Sequence, residues 1–194
     1  MIGVDIRYDL NALFDTVFGI KHYAVPGESP EENYERLSQY GTPVLTAITF
    51  EGKEYQVYDK NGEIITQSFG DMELPVATLV SISRKKQIIK TPTPTGTVKE
   101  LYGFGDWEID VNGFCIPDTA QPQGLFSPQQ QADALKDWEK IADAVRIKGG
   151  LMIHKDIHDI VIQDFATWQL KGSPNVIPFR MKWISDQPVE LLLV

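Results

Sequence analysis

From Pro43 onward the hydrophobic period of this chain is two, and that change of period limits the folds open to it. Residues 44–50 and 54–58 are short alternating runs separated by Glu51-Gly52-Lys53, the pattern of a hairpin. Lys60-Asn61-Gly62-Glu63 is the strongest turn, because Asn-Gly readily adopts the positive φ of a type I′ turn. Residues 64–67 then read as the returning strand. A longer β run follows at 74–83, with Leu79, Val80 and Ile82 prominent. Alternation at this spacing buries one face of a strand and wets the other, so the chain must build sheets.

The stretch 91–117, TPTPTGTVKELYGFGDWEIDVNGFCIP, sits between these runs and the second half. Thr91-Pro92-Thr93-Pro94 reads as an extended connector, since alternating prolines cannot donate to a ladder. Residues 101–106 read as a loop carrying Gly103 and Gly105. Trp107, Ile109 and Val111 then alternate with Glu108, Asp110 and Asn112, a half-buried strand through Cys115. Because a strand pattern follows the glycines, they cannot cradle phosphate at a helix N-terminus, and a nucleotide site is not expected.

The clearest helix signal comes next. Ser127 can cap, Pro128 suits the first helical position and Gln130 completes a capping box. Leu135, Trp138, Ile141, Ala142 and Val145 make one apolar stripe, and Arg146 and Lys148 lie late, where the macrodipole favours them. The pattern predicts a helix over 128–148, stopped by Gly149-Gly150. Strand runs are expected at 151–154, 159–165, 175–184 and 189–194, with a turn at 171–174. The expected fold is mainly β (α+β), a β-sandwich or open barrel with one packed helix. Residues 43–194 are read as a single β-rich domain.

Residues 1–42 read as an N-terminal helix and a polar arm. Leu10, Leu13, Phe14, Val17 and Phe18 follow helical spacing, and Gly19 suits a C-cap. Such a helix is too short to stand alone, so it must dock on the domain or on a partner. The segment 27–41 is rich in proline and glutamate and reads as an exposed loop, with a helical turn near 31–38.

Charge and cysteine content narrow the function. The chain of 194 residues carries 27 acidic and 18 basic groups, a net charge of −9 spread over both halves. Such a surface repels nucleic-acid phosphate, so tight nucleic-acid binding is not expected. Arg84, Lys85, Lys86 and Lys90 form the local exception and read as solvating charges at a strand end or hairpin tip. Cys115 is the only cysteine, which leaves no intrachain disulfide and no thiolate metal cluster; in its apolar run it reads as a buried thiol. No signal pattern or membrane span is legible.

No catalytic constellation assembles. His154 and His158 stand four apart, but across a turn rather than on a helix face, so zinc is not expected. Asp106, Glu108 and Asp110 look like the wet face of a strand rather than an acid–base pair. His22 lies in a weakly patterned segment, and no nucleophile elbow is present. Tyr102 and Phe104 suit either a sugar-stacking surface or an interface, with the interface favoured. No cofactor or metal is expected.

Read in order, Lys90-Thr-Pro, Gly96-Thr-Val-Lys-Glu100, Gly105-Asp-Trp-Glu-Ile109 and Gly113-Phe114 resemble a family of phage and prophage tail or baseplate proteins. These are tube-initiator or hub-type domains, some of whose relatives carry a LysM module. Ile160-Val-Ile-Gln-Asp-Phe165, Asn175-Val-Ile-Pro-Phe179 and Ser185-Asp186 resemble the same family's ending. The resemblance covers 74–186. It implies a tail-tube-like fold, a homo-oligomeric ring at the tube–baseplate junction, contacts with other tail proteins and no catalysis. The implied location is the virion tail, assembled in the bacterial cytoplasm. No LysM-like extension follows, so cell-wall binding is not expected. The candidate assembly interface is Leu13, Phe14, Phe18, Lys99, Tyr102, Phe104 and Asp106, from two elements that order on assembly. The alternative class is a small carbohydrate- or peptide-binding β-sandwich; a hydrolase ranks last.

Overall fold

The computed structural model describes residues 10–19, 36–37, 43–44, 48–75, 77–118, 124–173 and 175–186. The protein is mainly β, as the period of two requires. Seven antiparallel strands form one sheet: β3 (Thr49–Phe50), β6 (Met72–Glu73), β7 (Ala77–Thr93), β8 (Gly96–Cys115), β9 (Val145–Lys148), β10 (Asp159–Thr167) and β11 (Ile177–Ser185). Their order across the sheet is β6-β3-β9-β10-β11-β8-β7. Two small ribbons complete the β content among the described residues, β1 (Arg36–Leu37) with β2 (Pro43–Val44), and β4 (Glu54–Tyr58) with β5 (Ile64–Ser68).

One face of the sheet is covered by helix α2 (Pro128–Glu139). The capping box forms as its sequence dictates: the Gln130 N–H donates to the Ser127 hydroxyl, and the Ser127 N–H donates to the Gln130 side-chain oxygen. Leu135 and Trp138 are buried against the sheet. The Trp138 ring meets Phe50 of β3 at 4.9 Å and, from the β4–β5 side, Tyr55 at 5.6 Å and Phe69 at 5.0 Å. Phe50 in turn meets Trp183 edge-on at 5.4 Å. Trp138 therefore joins the ribbon, the helix and the sheet into one core with Ile109, Val111 and Met181.

The helix is shorter than expected. It stops at Glu139, and residues 145–148 are β9 rather than its last turn. Past the C-cap Lys140 the chain is taken up by β4: Ile141 bridges Val57, and the Ala142 N–H donates to the Gln56 carbonyl. Val145 and Ile147 then alternate with exposed Arg146 and Lys148, so the apolar residues that continued a helical stripe also fit a strand. The pairing partners β10 and β3 decide between the two periods.

Other expectations change in the same way. Residues 151–154 are not a strand: α3 (Gly150–Ile153) is one helical turn, closed by Asp156 at φ 58°. Only one side of that run is buried, with Met152 inside and Ile153 exposed. The turn at 60–63 is not type I′, because Gly62 has positive φ and Asn61 does not. The Asp59 carboxylate accepts the N–H groups of Asn61 and Glu63 instead and shapes a longer loop. Most of the helical turn expected near 31–38, and the strand expected at 189–194, lie outside the described residues. The described pair Arg36–Leu37 is extended.

The sheet's other face is capped at one end by α1 (Leu10–Phe18). Phe14 is buried and meets Phe114 edge-on at 5.0 Å, in a small cluster with Ala77, Ile116 and Val176. Phe18 meets Phe114 at 5.3 Å and Trp168 at 5.8 Å. Burying a phenylalanine in this way is worth about 1.5–3 kcal/mol, enough to hold a helix that could not persist alone.

Candidate assembly interface

The stretch read as connector, loop and strand is one β-hairpin. β7 and β8 are 17 and 20 residues long and pair from Ala77↔Phe114 to Thr93↔Gly96. Only the inner part belongs to the sheet, since β11 pairs with residues 108–115 of β8 and no further. Residues 84–107 therefore form a two-stranded arm beyond it. At the ordinary strand rise, residues 84–93 reach roughly 30 Å. The prolines do not end the strand. Pro92 opposes Thr97 in the ladder, and Pro94 takes a corner of the tip, where its fixed φ suits a turn and its missing N–H costs nothing.

The glycines that suggested a loop mark irregularities inside β8. The register slips between Arg84 and Lys86 and again between Gln87 and Ile88, each time opposite an extra residue in the segment with Gly103 and Gly105. Gly103 has φ 110°, open to glycine and strained for other residues. Bulges of this kind twist and bend a ribbon.

The arm is apolar where solvent reaches it. Ile88, Ile89, Val98, Leu101, Tyr102 and Phe104 are all exposed, Leu101 at 71%. Isolated exposed apolar groups are ordinary, but six on one ribbon, none of them packed on the core, mark a contact surface. The outer edge of β7 is unpaired among the described residues, so the ribbon also presents free ladder groups.

The register sorts these residues onto two faces. Ile88↔Leu101, Lys90↔Lys99 and Pro92↔Thr97 lie on one; Ile89↔Glu100 and Thr91↔Val98 lie on the other. Tyr102 belongs with the second face, where its hydroxyl donates to the Glu100 carboxylate at 2.8 Å. That hydrogen bond raises the phenol's pKa above its ordinary value. At the arm's base the Arg84 guanidinium lies over both Phe104 and Trp107, at 5.2 and 5.0 Å, and its Nε donates to the Gly105 carbonyl. Lys85 pairs with Glu108 at 2.7 Å.

The structure thus separates the expected interface residues into two groups. Lys99, Tyr102, Phe104 and Asp106 lie together on the exposed arm. Leu13, Phe14 and Phe18 lie on α1, packed on the chain's own domain: Phe14 is buried, and Leu13 and Phe18 are half-buried. The packing of α1 has a simple cause. An amphipathic period announces an apolar face, while Phe114, Ile116 and Val176, which cover it, come from distant parts of the chain. Ile88, Ile89, Val98 and Leu101 were missed, although their alternation around Lys90 and Lys99 could have revealed the hairpin.

The remaining candidates fall where solvation and burial put them. Cys115 is fully buried, and burial pushes its thiol pKa up. Glu108 and Asp110 are exposed on the strand's wet face. His158 is within 3.1 Å of Asp156, and among the described residues no group of His, Cys, Asp and Glu could hold a metal ion. His22 lies outside the described residues. A groove of about 740 Å³ runs between α2 and residues 165–177, with Asp133, Lys136, Trp168 and Lys171 on its walls. Among the described residues no helix is long and apolar enough to cross a membrane.

No curated protein matches the chain. Among solved structures, a chain of "Tail of empty GTA particle computed with helical refinement, C6 symmetry" is similar at 13% identity and a TM-score of 0.32, over 69% of this chain and 91% of that one. A family model matches residues 73–194, which begin at β6 and include the whole arm. The chain belongs to the family described as Domain of unknown function (DUF6046).

Proposed function

We propose that this protein is a structural subunit of a phage-like tail, acting at the tube–baseplate junction by ring assembly and without catalysis. The observation that carries the reading is the arm: a ribbon of residues 84–107 with six exposed apolar side chains and an open edge. Left in water, such an edge invites uncontrolled pairing, so a chain that keeps one long and apolar uses it for association. The ordered motifs from Lys90 to Asp186 support the choice of a tail over other assemblies, because they resemble those of phage and prophage tail proteins. Several of them are arm residues.

In this reading identical copies meet edge to edge through the arm, together with neighbouring tail proteins, in the virion. The acidic body lets DNA pass a lumen without adhering. The carbohydrate-binding alternative would need free aromatic faces at Tyr102 and Phe104. Arg84 and Lys86 lie over the Phe104 ring, and the Tyr102 hydroxyl is tied to Glu100.

Light scattering on the purified chain, combined with negative-stain imaging, tests the proposal. Ring-shaped particles of a defined copy number are expected. A chain that stays monomeric at all concentrations, from a gene remote from tail genes, would overturn it.

A further inference from the structure

The arm carries a feature that its own hairpin does not explain. Lys90 and Lys99 are direct cross-strand partners, and neither has an ion-pair partner among the described residues. Like charges directly opposite each other destabilise a two-stranded ribbon. They share a face with the exposed pair Ile88 and Leu101. That face is therefore a short apolar step next to a doubled positive charge. Across residues 84–107 there are five basic and two acidic groups, +3 on a chain whose total is −9.

The opposite end of the molecule offers the complement. The β4–β5 ribbon lies by β3 and β6, while the arm leaves from β8 and β7 at the far end of the sheet order. Residues 51–71 carry five acidic groups and two basic, −3. One face of the ribbon packs Tyr55 and Val57 into the core; the other is open, with Tyr58 52% and Ile64 56% exposed and directly paired. Glu54 lies on this open face and Glu63 lies beside the turn, both exposed and both without an ion-pair partner among the described residues. The outer edge of β5 is unpaired among the described residues.

We propose that the arm of one copy lies on the β4–β5 ribbon of the next, with Ile88 and Leu101 on Tyr58 and Ile64, and Lys90 and Lys99 between Glu54 and Glu63. This deepens the assembly reading above and rests on it. The two surfaces differ and lie at opposite ends of the sheet, so the contact is head-to-tail. Repetition closes a ring if the rotation closes and runs to a filament if it does not. The lysine pair, a cost in the free hairpin, becomes the element that selects the acidic ribbon over other surfaces.

Sedimentation velocity on charge-reversed full-length chains tests this. K90E/K99E and E54K/E63K should each weaken self-association at least about tenfold, since each sets like charges against like across the contact. Mixing the two variants should restore assembly, because each arm then meets a ribbon of opposite charge. Restoration also certifies that both variants are folded. Two outcomes overturn the contact but leave the assembly reading standing: wild-type association in either variant, or two weakened variants that do not rescue each other. A wild-type chain that never associates overturns both.

Discussion

The ring of Phe179 occupies the space that a side chain on Gly113 would need. A Cβ built on Gly113 would stand 2.6 and 2.7 Å from ring carbons of Phe179 and 2.8 Å from the Ala77 carbonyl oxygen. The two residues are register partners on β8 and β11, and both belong to the motifs on which the family resemblance rests. Part of that resemblance is therefore a packing requirement, a bare backbone that lets an aromatic ring lie across the sheet.

Gly113→Ala should destabilise the domain by about 1–3 kcal/mol, the usual cost of overpacking a rigid core. Urea unfolding followed by tryptophan fluorescence measures it. An unchanged midpoint would mean that Phe179 moves aside freely, and the packing reading of the motif would fall.

Phe14→Ala should release α1 while the sheet stays folded. Phe14 contributes to the small cluster with Phe114, Ile116 and Val176 and is not part of the main core around Trp138. Hydrogen exchange of amides in residues 10–18 should rise toward the rate of a free peptide, since a helix this short has little stability of its own. If those amides exchange as in the wild type, α1 is held by something other than Phe14.

Stability should fall as the pH rises above about 9. Burial raises the Cys115 thiol from its ordinary value of 9.0. Above pH 9 the unfolded chain loses this proton while the folded chain keeps it, so deprotonation favours unfolding. The contribution is complete below pH 9 and declines by at most about 1.4 kcal/mol per pH unit above it. Tyr55, raised chiefly by burial from 10.0, acts in the same direction at higher pH. Between pH 9 and 10 the loss should therefore be shallower in Cys115→Ala than in the wild type, measured as urea midpoints against pH. Equal slopes would remove Cys115 from the account.

Local chemistry was sufficient for several features. The Ser127–Gln130 capping box needs only residues within one turn, and it forms as written. The alternation from Trp107 to Cys115 specified a strand with one wet face, and Ile109 and Val111 are fully buried on the other. The 42% apolar content and lone cysteine allowed a core without disulfides, and Cys115 is buried within that core.

Where two local readings competed, only the partner strand could choose between them. Val145 and Ile147 suited a helix stripe and a strand equally, until β10 and β3 supplied ladder partners. Pro92, Pro94, Gly103 and Gly105 are all poor strand residues, so residues 91–106 read as connector and loop. β7 holds β8 in register past them because the prolines fall at the tip, where a missing donor costs little, and the glycines fall at bulges. The amphipathic pattern of α1 likewise announced that something must cover it. That the cover is Phe114 of its own chain, while the arm is uncovered among the described residues, follows from the long-range approach of β8 and β11, which no local spacing encodes.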